Sequence, residues 1–456
     1  MKKDSDVISG IPIVNVWHNH WLWLPSLYMM RGLPYVVLFM TSLVFFSQLG
    51  IDNSDIIISN TWLILPFIFR PFLSRVVLSF DSKRYWILLS EFIIGLSFIG
   101  IALSVPNRYN FSLSFVFLFV IAIAASIHDI AIEHFYKRNA NYRRRSAFMG
   151  IRTIFYMCAI VIGFTFPLLA VGYFEVVSRL VKTPWITIFY SLGSVSLICC
   201  LYHFIVLPKA YIRAKLPFCV GVTKKWFLDI VQMIVARNGY IYHLFFIFLY
   251  LFPEFIFLRI IIFFLFDTGS GGGLGFSPQE VGFIHGAIGY VAILLGAAVG
   301  FWAVGKCGVI TLRWSMAFAI VLSKLLFLYL SFSFNSSLLI VSLFVFLDYL
   351  CAGYSVVMYV LLLLFFTHGK HPTFFYSIGA SILGISFFSS SMFIGMLTEY
   401  FSYQQIFIFI SFLGIIPLFS VKIISINSET DNMFKKFVRL RKIEAVSYTH
   451  LRAHET

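Results

Sequence analysis

The sequence predicts an all-α polytopic membrane protein with 12 transmembrane helices, and three observations carry that reading. The chain of 456 residues is 60% hydrophobic and 12% charged, with a mean hydropathy of +0.92. A soluble domain carries roughly 25% charged residues. Twelve apolar stretches each supply the roughly 20 residues that a hydrocarbon core of about 30 Å requires. The basic residues gather in alternate loops, with roughly 25 Lys and Arg on one side and about three (Arg108, Arg179, Lys182) on the other.

The first six stretches fall near residues 22–49, 55–78, 85–105, 111–136, 147–173 and 184–207. The second six fall near 239–266, 279–303, 310–332, 336–366, 373–396 and 403–424. Residues 1–21 are polar or mixed and lack the small-residue cleavage site of a secretory peptide, so the first span is expected to be retained. That span carries Arg31, with Gly32 and Pro34 loosening the helix as they do where a span lines a cavity. The fourth ends in IHDIAIEHFY and the fifth opens near Arg152. Pro253 breaks the seventh, and the tenth is long enough to tilt or to extend beyond the bilayer.

Residues 208–238 form the largest interior loop, with Lys209, Arg213, Lys215, Lys224 and Lys225, and they divide the chain into bundles at 22–207 and 239–424. Within the loop, Trp226 to Ala236 alternates apolar and polar residues at a helical period, which fits either a helix on the inner leaflet or a tether. The loop charges place the N-terminal segment and the tail, 425–456, in the cytoplasm. Six spans plus six around a basic loop suggest the major facilitator architecture, two related six-helix bundles with a cavity between them. The last residues, Val446 to Thr456 (VSYTHLRAHET), share no character with what precedes them and look like translated adapter sequence rather than native chain.

Ionisable side chains within a hydrocarbon span cost about 2.5–3.5 kcal/mol each on insertion scales, so they usually mark a pathway or a relay. Asp129 and Glu133 are four residues apart, hence on one helical face with Cβ atoms about 5–6 Å apart. Two such carboxylates resist ionising together, which suits proton coupling. His128 joins them as a candidate, although helical neighbours point about 100° apart. Glu133 has a second reading as the end of the span, paired with the basic loop of Lys137, Arg138 and Arg143 to Arg145. Arg31 and Arg152 are positioned to receive a substrate carboxylate or to pair with Asp129; alternatively Arg31 snorkels to the interface and Arg152 is simply a positive-inside residue. Glu254 and Arg259 flank the break at Pro253, where they either serve substrate or neutralise one another. Lys324, Asp348 and His285 are single ionisable residues in spans nine, ten and eight, and a Lys324–Asp348 pair would hold the second bundle together.

Other functions lack their signatures. A net charge of +15 confined to short loops follows the positive-inside rule and does not call for nucleic acid. The six cysteines show neither CxxC nor metal-ligand spacing and read as packing residues. No HExxH, GxSxG or Walker pattern occurs, and GSGGGLG (Gly269 to Gly275) follows no strand, so it reads as a flexible outer loop. No enzyme, metal or cofactor is expected, and residues 425–445 are too short and basic for a sensor's output domain. The expected partners are the lipid bilayer, protons and a small-molecule substrate, handled by a monomer.

The runs WLWLPSLYMMRGLPYVV, SDIIISNTWLILPFIFRPFLS, HDIAIEHFY with FMGIRTIFY, FPEFIFLRI and GGLGFSPQEVGF together resemble the AmpG-like branch of the major facilitator superfamily, in the form found in Bacteroidetes-type bacteria. The resemblance covers nearly all of residues 20–424. It implies an inner-membrane permease that imports anhydro-muropeptides for cell-wall recycling, driven by protons. It matches the family's acidic pair in span four to Asp129 and Glu133. Two departures stand out: Leu78 occupies the place of the usual acidic residue after span two, with Asp81 displaced towards the loop, and Arg31 stands where relatives often carry Glu or a small residue.

The combined expectation is a proton-coupled importer working by alternating access. Asp129, Glu133 and His128 would couple protons. Arg31, Arg152, Tyr35, Glu254 and Arg259 would bind substrate, with tyrosine and tryptophan rings stacked on sugars. A transporter of another small solute, such as a peptide, sugar or siderophore, is the alternative. Asp129 would lie about seven residues, or about 10 Å, from the cytoplasmic end of its span, nearer an inner gate than a central pocket.

Overall fold

A computed structural model describes residues 20–79, 83–107, 110–139, 145–208, 240–333, 337–366, 372–424, 426, 428, 431–436 and 438. The loop segment Trp226 to Ala236 and the terminal run Val446 to Thr456 lie outside the described residues. The first six spans are α1 (Trp21–Gln48), α2 (Asn53–Ile68 and Arg70–Val77), α3 (Lys83–Ser104), α4 (Asn110–Tyr136), α5 (Arg152–Ser178) and α6 (Lys182–Val206). The second six are α7 (Tyr240–Phe266), α8 (Pro278–Cys307), α9 (Val309–Ser331), α10 (Leu338–Phe366), α11 (Phe375–Tyr400) and α12 (Tyr403–Ile423). Among the described residues there is no strand. The fold is the all-α, twelve-span arrangement of two six-helix bundles that the apolar runs predict.

Local chemistry sets where these helices bend. The two parts of α2 meet at 47°. Phe69 leaves the helical region there (φ −78°, ψ 11°), between Pro66 and Pro71, each of which lacks an N–H and crowds the preceding turn. The expected break in α7 is present: Leu251 is non-helical and Pro253 sits in the first turn of the following segment. Two widened π-type turns were not legible beforehand, Val37–Thr41 in α1 and Gly282–Gly289 in α8. A widened turn takes carbonyls out of the regular ladder and offers them to other partners. In α1 the Leu38 carbonyl accepts from Asn60 Nδ2 of α2 at 2.7 Å, and the Phe39 carbonyl accepts from Arg259 Nη1 of α7 at 3.1 Å.

The outer surface is lipid-compatible. Phe92, Leu96 and Leu103 on α3, and Leu201, Phe204 and Ile205 on α6, are exposed. Trp21, Tyr85, Tyr173, Tyr329 and Tyr400 are exposed near helix ends, where amphipathic rings suit the bilayer interface. Inside, small residues let helices approach closely. A Cβ on Gly296 of α8 would lie 2.0 Å from the Leu350 carbonyl of α10, and one on Gly353 would lie 2.1 Å from the Ile293 carbonyl.

The apolar core is forked. At the end carrying the loops after α1, α3, α5, α7, α9 and α11 (the loop end), one continuous cluster joins both bundles, from Phe45, Phe98 and Trp185 to Phe264, Tyr403 and Phe407. Towards the opposite, terminal end it splits. The N-terminal bundle has its own cluster around Trp23, Leu27, Ile87 and Phe135, and the C-terminal bundle another around Tyr240, Val304, Met316 and Phe375. Polar ties reinforce the joined end: Asn53 Nδ2 donates to Asp267 Oδ2 at 2.7 Å, and the Tyr403 hydroxyl donates to the same carboxylate. On the second seam, between α5 and α8, a Cβ on Gly286 would meet Thr165 at 2.2 Å and one on Gly282 would meet Leu168 at 2.8 Å.

Candidate functional site

Charged side chains collect where the core divides. On α4 the helical period puts Asp129 and Glu133 on one face, as their spacing predicts. Asp129 is almost wholly buried (1% exposed) and is held by Arg31 Nε of α1 through one oxygen and by Arg70 Nη1 of α2 through the other. Glu133 is paired with Arg152 Nη2 of α5 at 3.1 Å, and Arg31 Nη1 lies 3.9 Å from it. The unlike charges therefore do pair, in a network that draws on four helices. Among the described residues three guanidinium groups face two carboxylates, so this network carries one positive charge in excess.

Aromatic rings wall this network. The Arg152 guanidinium stacks over Tyr136 at 4.2 Å and Tyr28 at 4.7 Å, and Arg31 lies 5.8 Å from the Tyr156 ring. Tyr35 packs on Phe67 at 4.8 Å and Tyr156 at 6.3 Å, next to the arginines. From the other bundle, Tyr376 of α11 lies 5.8 Å from Arg70. Planar guanidiniums between rings are pre-organised forks for carboxylate or phosphate, with flat apolar surfaces beside them.

His128 belongs elsewhere. The roughly 100° step along the helix turns it away from Asp129, towards α3 and α6. Its Nε2 lies 3.0 Å from Glu91 Oε1, and His203 Nδ1 lies 2.8 Å from the same oxygen. His203 Nε2 reaches Ser26 Oγ of α1 at 2.9 Å. Glu91, His128 and His203 are all at most 1% exposed, so this triad ties four helices together inside the N-terminal bundle.

In the C-terminal bundle Glu254 and Arg259 do not neutralise one another. Five positions apart and beyond the break, they face different helices. Glu254 Oε2 is 2.7 Å from Lys324 Nζ of α9, which also donates to Asp348 Oδ1 of α10 at 2.6 Å. The Lys324–Asp348 pair expected from sequence is present, enlarged by a second acid. Arg259 points to the seam between bundles. Besides the Phe39 carbonyl, it donates to Asn60 Oδ1 at 2.8 Å and Ser391 Oγ at 2.9 Å, and it stacks on Phe387 at 4.4 Å. His285 is hydrogen-bonded to the Tyr349 hydroxyl at 2.9 Å. Among the described residues no group of three or more His, Cys, Asp or Glu side chains is arranged to hold a metal ion.

Sequence reading overlooked Arg70, Glu91, His203, Asn60 and Tyr376. The first three are ionisable residues within apolar runs, so the rule that singled out Asp129 applies equally to them. Asn60 and Tyr376 carry no comparable local signal.

No protein-family model matches the chain, and no curated protein sequence matches it. Its backbone is similar to solved structures. The nucleoside transporter NupG is 14% identical with a TM-score of 0.63, over 89% of this chain and 98% of that one. The inward-open xylose transporter XylE from E. coli is 14% identical with a TM-score of 0.63, over 93% and 99%. A bacterial homologue of the human lysosomal transporter Spinster, inward-facing and unoccupied, is 12% identical with a TM-score of 0.59, over 93% and 97%. At these identities the likeness shows the fold, which is the major facilitator architecture.

Proposed function

We propose that this protein is a secondary transporter that carries an anionic, ring-bearing solute by alternating access, and that it imports anhydro-muropeptides or similar cell-wall fragments with protons. The observation that carries the reading is the surplus positive charge of the Arg31–Arg70–Arg152 network, set among tyrosines where the core divides. Substrate carboxylates would replace Asp129 and Glu133 as partners of these arginines, while Tyr35 and Tyr156 offer faces for sugar rings. Asp129 then acts as the resident counter-ion of the empty site, exchanged for substrate. Arg259, in the seam, would report site occupancy to both bundles.

The loop charges support a cytoplasmic terminal end, and we further propose a bacterial inner membrane and a monomer. In that orientation the joined loop end faces the periplasm, and the forked end faces the cytoplasm. The two neighbours described as inward-open or inward-facing agree with such a state. The transport of nucleosides and xylose by neighbours named for those solutes supports a small-molecule cargo.

The test is uptake of labelled anhydro-muropeptide into proteoliposomes containing the full chain, with and without an outside-acid pH gradient. Gradient-stimulated uptake, competed by unlabelled muropeptide and not by neutral sugars or unrelated peptides, is the expected result. Uptake that any small peptide or siderophore suppresses equally would replace the cargo, and no uptake would remove it.

A further inference from the structure

We propose that Glu254, Lys324 and Asp348 form a proton-binding site in the C-terminal bundle, with Glu254 as the group that takes up and releases the proton. The inference rests on the transporter reading and places its ion away from the arginine network. Two carboxylates share one ammonium: Lys324 Nζ lies 2.7 Å from Glu254 and 2.6 Å from Asp348. The trio therefore holds one uncompensated negative charge in the interior of the bundle, where such a charge is expensive. Binding one cation removes it.

The geometry selects a proton over a metal ion. The ammonium already occupies the space between the two acids, and its charge repels a second cation. A bound sodium ion needs several oxygen ligands around an open centre, which the Lys324 ammonium fills. The geometry also selects Glu254 over Asp348. Asp348 is fully buried and accepts a well-formed hydrogen bond from Lys324. Glu254 keeps 7% exposure and meets Lys324 at 2.7 Å outside hydrogen-bond geometry, while Glu254 Oε2 and Asp348 Oδ2 are alike in lacking a hydrogen bond. It also stands in the first turn after the break in α7, the part of the trio best able to move.

Among the described residues the surroundings bring no further charge to settle the imbalance. Phe257 covers the ammonium with its ring 3.7 Å from Nζ. Tyr349 and Cys351 of α10 lie next along the chain from Asp348, and Tyr349 is engaged with His285 of α8, near Tyr290. Arg259, one turn beyond on α7, is committed to Asn60, Ser391 and the Phe39 carbonyl. In the step itself, a proton from water adds to a carboxylate oxygen of Glu254 to give the neutral acid. Lys324 stays an ammonium and keeps Asp348 as its sole partner. No other bond changes, and the ion pair that ties Glu254 of α7 to Lys324 of α9 is lost. Because α7 carries both Glu254 and Arg259, protonation in one bundle is transmitted to the seam.

Two measurements on the full chain test the site, the first without any substrate. Infrared difference spectra of reconstituted protein, recorded between acid and alkaline buffer, should contain the C=O stretch of a protonated carboxyl group. That band should be lost in Glu254→Gln and kept in Glu91→Gln. Persistence in Glu254→Gln, or loss in Glu91→Gln alone, overturns the assignment, as does an equal band shift on adding sodium at constant pH. The second measurement records proton entry into pyranine-loaded proteoliposomes on adding anhydro-muropeptide. Protons taken up per solute should fall to zero in Glu254→Gln, and an unchanged ratio overturns the proposal. Absence of muropeptide uptake by the wild-type chain would instead defeat the cargo assignment, leaving the infrared result to decide the proton site.

Discussion

The network around Asp129 and the trio around Lys324 hold charge in opposite balance. In the N-terminal bundle three guanidiniums face two carboxylates, whereas in the C-terminal bundle one ammonium faces two. The groups differ in kind as well as number. Guanidiniums are planar and weakly hydrated and present fixed forks, so they suit an extended anion among rings. An ammonium is a compact point charge, suited to bridging two acids and to keeping one of them when the other is neutralised. The contrast teaches that a shared architecture can place complementary tasks in its two halves, with an anion site on one side of the seam and a cation site on the other. Arg259 of α7 is a strongly buried cation that ties the two bundles together through α1, α2 and α11.

Removing the ammonium should break this balance most severely. Lys324→Met leaves two buried carboxylates facing one another, and losing one partner of a buried ion pair costs about 3–5 kcal/mol. Thermal unfolding in detergent should show a large drop, mostly restored when Glu254→Gln and Asp348→Asn accompany it. No recovery in the triple variant would mean that Lys324 supports the bundle by packing rather than by charge.

Removing a fork should have the next largest effect. Arg70→Ala deletes a charged hydrogen-bond donor, worth about 1.5–3 kcal/mol, and should weaken anionic solute binding roughly tenfold to a hundredfold. Lysine at the same position should recover little of it, because a point charge does not reproduce the fork. Calorimetric titration with anhydro-muropeptide reads both variants, and full recovery by lysine would reduce the network to simple charge attraction.

The smallest effect belongs to the seam at the loop end. Asn53→Ala removes one hydrogen bond to Asp267, worth about 1 kcal/mol, and should shift the conformational balance toward opening of that end by less than about tenfold. Labelling of a cysteine placed at Leu274 should be faster in this variant. Unchanged labelling would assign the closure to the glycine-mediated packing of α5 on α8 alone.

The parts of the structure set by lipid were legible in the sequence. Twelve spans, the break at Pro253 and the shared face of Asp129 and Glu133 all follow from local period and backbone chemistry. Pairings across the bundle were not. Glu91 and His203 are single ionisable residues in separate spans, 112 positions apart, and each reads as isolated until the helices pack. Arg70 was hidden for a related reason, since the bend that carries it was not foreseen. His128 looked like a neighbour of Asp129 because the chain places them together, and helical phase separates them.

The widened turn at Val37–Thr41 has a consequence for how α1 is phased. Such a turn holds one residue more than a regular helix would use, so it acts as an offset between the two ends of the span. Straightening it into a regular helix without removing a residue would rotate everything before it by up to about 100° relative to everything after it. Arg31 would swing off Asp129 while Phe45 and Phe46 kept their places in the shared core. The turn therefore lets a single helix obey two packing partners whose phases disagree.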